Sequence, residues 1–113
     1  MTRDDLASFR AGFAHCELVM LADTSAGTVL TFASAIHQGQ ERLDDLCTTA
    51  CTLFRSELPV FGLAVLSGPR GSKLFLQSPR DPSEVICAVL GPRADVPTIC
   101  AALGRLADQE SVT

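Results

Sequence analysis

Tyrosine and tryptophan are both missing from this 113-residue chain, and no cluster of lysine and arginine occurs anywhere in it. The two absences exclude one class of function. A nucleic-acid partner needs a concentrated positive face for its phosphates and, for single strands, aromatic platforms on which bases stack. The net charge of −4 disfavours an anionic membrane surface on the same ground. Long apolar runs are lacking too: none approaches the ~20 residues of a membrane-spanning helix, so no membrane insertion is expected. The opening stretch, MTRDDLASFRAGF, holds no apolar core of signal-peptide length. Cysteine is the exception to this poverty, at five residues. The number is odd and most lie inside apolar runs, which reads as reduced thiols packed as small hydrophobes. A cytoplasmic location is the expectation.

What is present is apolar surface, 47% of the residues, enough for a single domain (residues 1–113, with its core at about 6–108) and too much for a linker or disordered tail. The stretch that organises it is Cys16–Ser34, CELVMLADTSAGTVLTFAS. Two apolar runs flank the break Asp23-Thr24-Ser25-Ala26-Gly27, the pattern of a β-hairpin. The first run is apolar on both alternating faces (Cys16, Leu18, Met20 and Ala22 against Val19 and Leu21), so it needs cover on both sides and belongs near the middle of a sheet. Glu84–Leu90, EVICAVL, has the same character. Between them, Val60–Ser67 (VFGLAVLS) and Ser72–Ser78 (SKLFLQS) read as further strands joined by the turn Gly68-Pro69-Arg70-Gly71.

Three helices complete the chain. The first covers residues 2–13, with Thr2 as cap, Asp5 in the place of a capping-box Glu, and Leu6, Phe9 and Phe13 on one side. The second runs from Gln40 to Leu58 and is stopped by Pro59. Its apolar members Leu43, Leu46, Cys47, Ala50, Cys51, Leu53, Phe54 and Leu58 cover an arc of roughly 160°, where about 100° seats a helix on one sheet. The third runs from Val96 to Asp108 with Asp95 as N-cap, and QESVT is expected to fray. The order is α-β-β-α-β-β-β-α, an α+β (α/β sandwich) class with a five-stranded antiparallel sheet and helices packed on it.

The residues capable of chemistry do not assemble into a site. Ser67-Gly68-Pro69-Arg70-Gly71-Ser72-Lys73 lacks the spacing, the Lys-Ser/Thr order and the following helix of a phosphate loop, and reads as a hairpin turn. Cys47 and Cys51 supply two metal ligands where a closed zinc site needs four. His15 and His37 stand in no nucleophile elbow or triad spacing. No catalytic, cofactor-binding or metal residue is therefore assigned, although an enzyme using Cys16 or Cys47 stays open as one reading. A small-molecule sensor of profilin- or PAS-like fold is a second, with few inward polar groups to support it. The more unusual feature is Val60–Ser67, a strand with no Lys, Glu or internal Pro to guard it if it lies at a sheet edge. Together with the over-wide helix before it, this points to a dimer seam formed by Leu46, Ala50, Leu53, Leu63 and Val65.

The hairpin LVMLADTSAGTVLTFAS, the helix ERLDDLCTTACTLF and the strands LAVLSGPRGSKLFLQSPRDPSEVICAVLGP resemble the Roadblock / dynein light chain family, whose fold is profilin-like. Asp23, Gly27, Val29, Leu30 and Ser34 match its first motif, and Gly71, Leu74, Leu76 and Val85–Leu90 its second. A hairpin break one residue longer, the Gly-Pro-Arg-Gly turn and the cysteine content depart from it. The resemblance implies a non-catalytic homodimer or heterodimer joined through the third strands, with the second helices side by side, acting as a regulator or scaffold for a small Ras-like GTPase or other signalling partner. It implies no arginine finger, so Arg42, Arg55 and Arg70 receive no such role.

Overall fold

The structure, a computed structural model, describes residues 1–55 and 62–112. The elements are α1 (Arg3–Ala11), β1 (Cys16–Asp23), β2 (Thr28–Ser34), α2 (Gln40–Arg55), β3 (Leu63–Gly68), β4 (Gly71–Gln77), β5 (Glu84–Leu90) and α3 (Val96–Val112). Every strand pair is antiparallel, in one five-stranded sheet of order β2-β1-β5-β4-β3. The two strands with apolar residues on both faces, β1 and β5, lie side by side within it, as their need for cover on both sides requires.

Side chains alternate across the pleat, and the core divides accordingly into two layers. On one face Val19, Leu21, Leu74, Ile86 and Ala88 meet Leu6 of α1 and Ile99, Leu103 and Ala107 of α3. On the other, Leu18, Met20, Phe75, Val85 and Cys87 meet Leu43, Leu46, Cys47 and Ala50 of α2. Each large side chain removed from water in these layers contributes about 1.5–3 kcal/mol relative to an exposed one.

Local chemistry sets the ends of the elements. The Thr2 hydroxyl accepts from the Asp5 amide at 3.2 Å and the Asp5 carboxylate accepts from the Thr2 amide at 2.8 Å. This completes a capping box with Asp in the Glu position, and Gly12 closes the other end of α1. The Asp23 carboxylate accepts from the Ser25 hydroxyl at 2.6 Å and from the amides of Ser25 and Ala26. Gly27 then takes φ 67° to bring the chain into β2. Asp95 accepts from the amide and the hydroxyl of Thr98 at the start of α3.

Several boundaries differ from the sequence reading; β4 lies one residue earlier, at Gly71–Gln77, and β3 ends one residue later, at Gly68. Helix α3 continues to Val112, since nothing from Asp108 to Val112 is Gly or Pro and the helix has no local reason to stop. Strand β3 begins at Leu63 because Gly62, at φ 75°, turns the chain ahead of it. Helix α1 ends at Ala11, two residues early, on the Gly12 cap. The expected last turn of α2 to Leu58, its stop at Pro59, and Val60 and Phe61 lie outside the described residues.

Candidate interaction site

The two edges of the sheet are built differently. At the β2 edge, the register with β1 passes from Leu21↔Thr31 to Ala22↔Val29 and leaves Leu30 over as a bulge. A bulge bends and twists an edge away from regular pairing, which is one way a free strand is protected. Helix α1 packs across β1 and β2 beneath it. At the β3 edge there is no such device: Leu63 to Gly68 pair with Leu76 to Gly71 of β4 in unbroken register. No charged residue occurs from Leu63 to Gly68.

Among the described residues strand β3 is also largely uncovered on both faces, with Ala64 alone packed against the cluster on the α2 side. Val65 stands opposite Leu74 and so lies on the α3 side, while Ala64 stands opposite Phe75 and lies on the α2 side. Leu63, Val65 and Leu66 are 37%, 42% and 43% exposed. The reason is the placement of the helices. Helix α2 lies over β2, β1 and β5, and the same face of the β3–β4 hairpin opens beside it into a cleft of about 640 Å³. Arg42, Asp45, Leu46 and Thr49 form its helical wall, and Leu66 to Lys73 its wall on the hairpin.

The five residues proposed for a seam are therefore divided. Leu63 and Val65 face outward on β3, whereas Leu46 (3% exposed) and Ala50 (0%) are committed to the chain's own sheet, and Leu53 is half-buried against the same cluster. The wide apolar arc of α2 is largely used in covering its own sheet. Leu66 is absent from the expected set, although it continues the apolar run of Leu63–Leu66 and is the most exposed residue of the three on β3. The signal for it is that continuity.

The candidate nucleophiles are placed unfavourably. Cys16, Cys47 and Cys87 are buried. Burial pushes the Cys16 thiol from its ordinary 9.0 up to about 11, with Arg10 pulling weakly the other way. Burial also raises Cys47, helped by the neighbouring Cys51 thiol, and it raises Cys87. A thiol held protonated is a poor nucleophile. Cys51 donates to the Thr24 carbonyl at 3.6 Å, which ties α2 to the β1–β2 turn. Among the described residues no group of three His, Cys, Asp or Glu side chains is placed to hold a metal ion. His15 takes φ 67° and its carbonyl accepts from the Gly91 amide at 2.8 Å, a joint between α1 and the sheet. No helix among the described residues is long and apolar enough to cross a membrane.

No protein-family model and no curated protein sequence matches the chain. Solved structures do. A Roadblock/LC7 domain from Streptomyces avermitilis superposes with a TM-score of 0.79 at 10% identity, over 96% of this chain and 92% of that one. MglB from Myxococcus xanthus gives 0.76 at 13% identity, over 94% and 88%. The gliding protein MglB of Thermus thermophilus gives 0.68 at 20% identity, over 94% and 87%.

Proposed function

We propose, from the Roadblock/LC7 fold of this chain as premise, that the protein is a non-catalytic regulator or scaffold that works as a pair of related domains and binds a small Ras-like GTPase or another signalling partner. The observation that carries the pairing is the β3 edge: unbulged, uncharged and exposed on both faces. The family resemblance of the sequence supplies the GTPase as partner. The buried, protonated thiols support the non-catalytic half of the reading.

The geometry of such a pair follows from the strand itself. Antiparallel addition of one β3 to another places the two-fold axis perpendicular to the sheet, and joins two five-stranded sheets into one of ten. That axis keeps each face on its own side, so both α2 helices come to one face. Residues directly opposite each other across the joint must then share a face, which sets Val65 against Val65 or Leu63 of the second copy and Leu66 against Leu66 or Ala64. Leu46 and Ala50 stand behind this seam, and Leu53 at its margin.

The Val65→Asp variant tests it. Val65 is exposed within one copy, so an aspartate there leaves the single chain folded and places an uncompensated charge in the seam, weakening association by roughly 2 kcal/mol or more. Analytical ultracentrifugation is expected to show a dimer for the wild type and a monomer for Val65→Asp. A wild-type monomer at high concentration would end the pairing reading. Failure of a purified GTP-loaded small GTPase from the same organism to bind the dimer would remove that partner.

A further inference from the structure

We propose that Cys47 and Cys51 of α2 form a binding site for a soft monovalent metal cation of the copper(I) type, held between their two sulfurs. The inference does not depend on how two domains pair. At 100° per residue Cys51 lies about 180° round α2 from Arg42, on the flank turned away from the β3–β4 hairpin. That flank meets the β1–β2 turn, where the Cys51 thiol donates to the Thr24 carbonyl at 3.6 Å. A second copy seated at β3 therefore leaves the thiol pair open.

The spacing is one that binds metals. Residues i and i+4 share a helix face, with Cβ atoms about 5–6 Å apart, and helical histidine pairs hold zinc by the same spacing. In α2 the two side chains already meet, since the Cys47 thiol and the Cys51 sulfur share a hydrogen bond. The layer beneath them is soft as well. Cys87 of β5 stands opposite Met20 of β1 in the sheet, and both pack in one cluster with Cys47, with Cys51 against its margin. Sulfur ligands select copper(I) over harder ions. A closed zinc site needs four ligands, and among the described residues no group of three His, Cys, Asp or Glu side chains is placed to supply them. Copper(I) is satisfied by two thiolates in line.

The electrostatics favour a cation too. Burial first, then the neighbouring Cys51 thiol and the carboxylates of Asp44 and Asp23, keep the proton on Cys47. Toward a metal cation the thiolate and the two carboxylates become attractive. Cys47 is buried and Cys51 half-buried, so the ion enters past Cys51 and comes to rest against an apolar layer that keeps water out. Two S–Cu bonds form and two S–H bonds break; both protons leave to solvent and no electron is transferred.

Copper(I) is the probe, supplied without oxygen as its acetonitrile complex to the reduced full chain, in competition with the chromogenic chelator bicinchoninate. One equivalent is expected to stay with the protein, and its X-ray absorption to show sulfur ligands only. Cys51→Ser is the sharper variant, because a serine hydroxyl at this half-buried position can still donate to the Thr24 carbonyl. It should weaken retention by roughly 10–100-fold or more, and Cys47→Ser should do the same. Cys100→Ser removes a thiol packed on the other face of the sheet and should leave retention unchanged. The amide spectrum of each variant reports its fold. No copper held by the folded wild type, an equal loss in Cys100→Ser, full retention in Cys51→Ser, or zinc held as tightly as copper(I) would each overturn the proposal.

Discussion

Gly71 takes φ 128°, and a Cβ built on it would lie 2.0 Å from the Leu90 carbonyl oxygen, an atom of β5 backbone that cannot move aside. Gly27 also has positive φ, at 67°, but nothing lies within 4 Å of its missing Cβ. The two glycines thus separate a steric from a conformational requirement. Gly71→Ala should cost about 3 kcal/mol or more, by forcing the hairpin off the sheet. Gly27→Ala should cost only the ~1–2 kcal/mol of a left-handed residue. Urea unfolding of both variants measures the difference. Cys16 gives a second test at this scale. Its folded pKa is raised, so its contribution is complete below the ordinary value of 9.0 and is lost as the pH climbs toward about 11. The unfolded chain ionises first in that window and binds fewer protons than the folded one. The urea midpoint is expected to fall between pH 9 and pH 11, and replacement of Cys16 by Ala to flatten that part of the fall due to it.

Among the elements, β2 and β3 make the clearest contrast. Both are edge strands, and each carries an exposed leucine or valine: Leu30 is 49% exposed and Val65 42%. Exposure alone does not distinguish them, whereas pairing geometry does. The bulge at Leu30 interrupts the regular ladder at β2, while β3 keeps its ladder intact. Leu30→Lys is therefore expected to leave the sedimentation coefficient unchanged, in contrast to Val65→Asp. A monomeric Leu30→Lys would transfer the seam to the other edge. Helix α2 teaches a related point. Its surplus of apolar arc suggests reach to a neighbour, yet Leu43, Leu46, Cys47 and Ala50 all turn to its own sheet, and the flank on the cleft carries Arg42, Asp45 and Thr49.

For the whole molecule, the layers are uneven. Helices α1 and α2 shield β2, β1 and β5, α3 packs against β4, and the sheet runs on past them to β3, with Leu63, Val65 and Leu66 left to water. A second copy that covers this margin binds only the folded chain, so association adds to stability by mass action. Thermal unfolding is accordingly expected to move to higher temperature as protein concentration is raised, and to lose that dependence in Val65→Asp. A midpoint independent of concentration in the wild type would show that the margin stays open in solution.

Element types and order were legible in the sequence because they rest on local chemistry. The two doubly apolar strands, the turn at Asp23–Gly27, the Thr2 and Asp95 caps and the period of α2 each follow from residues within a few positions of one another. The central place of β1 and β5 was legible for the same reason, since a strand greasy on both faces must have cover on both. What the sequence could not contain is lateral position. Which way α2 shifts across the sheet decides that Leu46 and Ala50 are buried while Leu66 is bare, and that a cleft opens between Arg42 and Lys73. The bulge that separates one edge from the other is a count of residues between two distant strands, Leu21–Ala22 and Val29–Thr31. Periodicity along one segment carries no record of register against another, so only the packed structure settled where this protein has surface to offer.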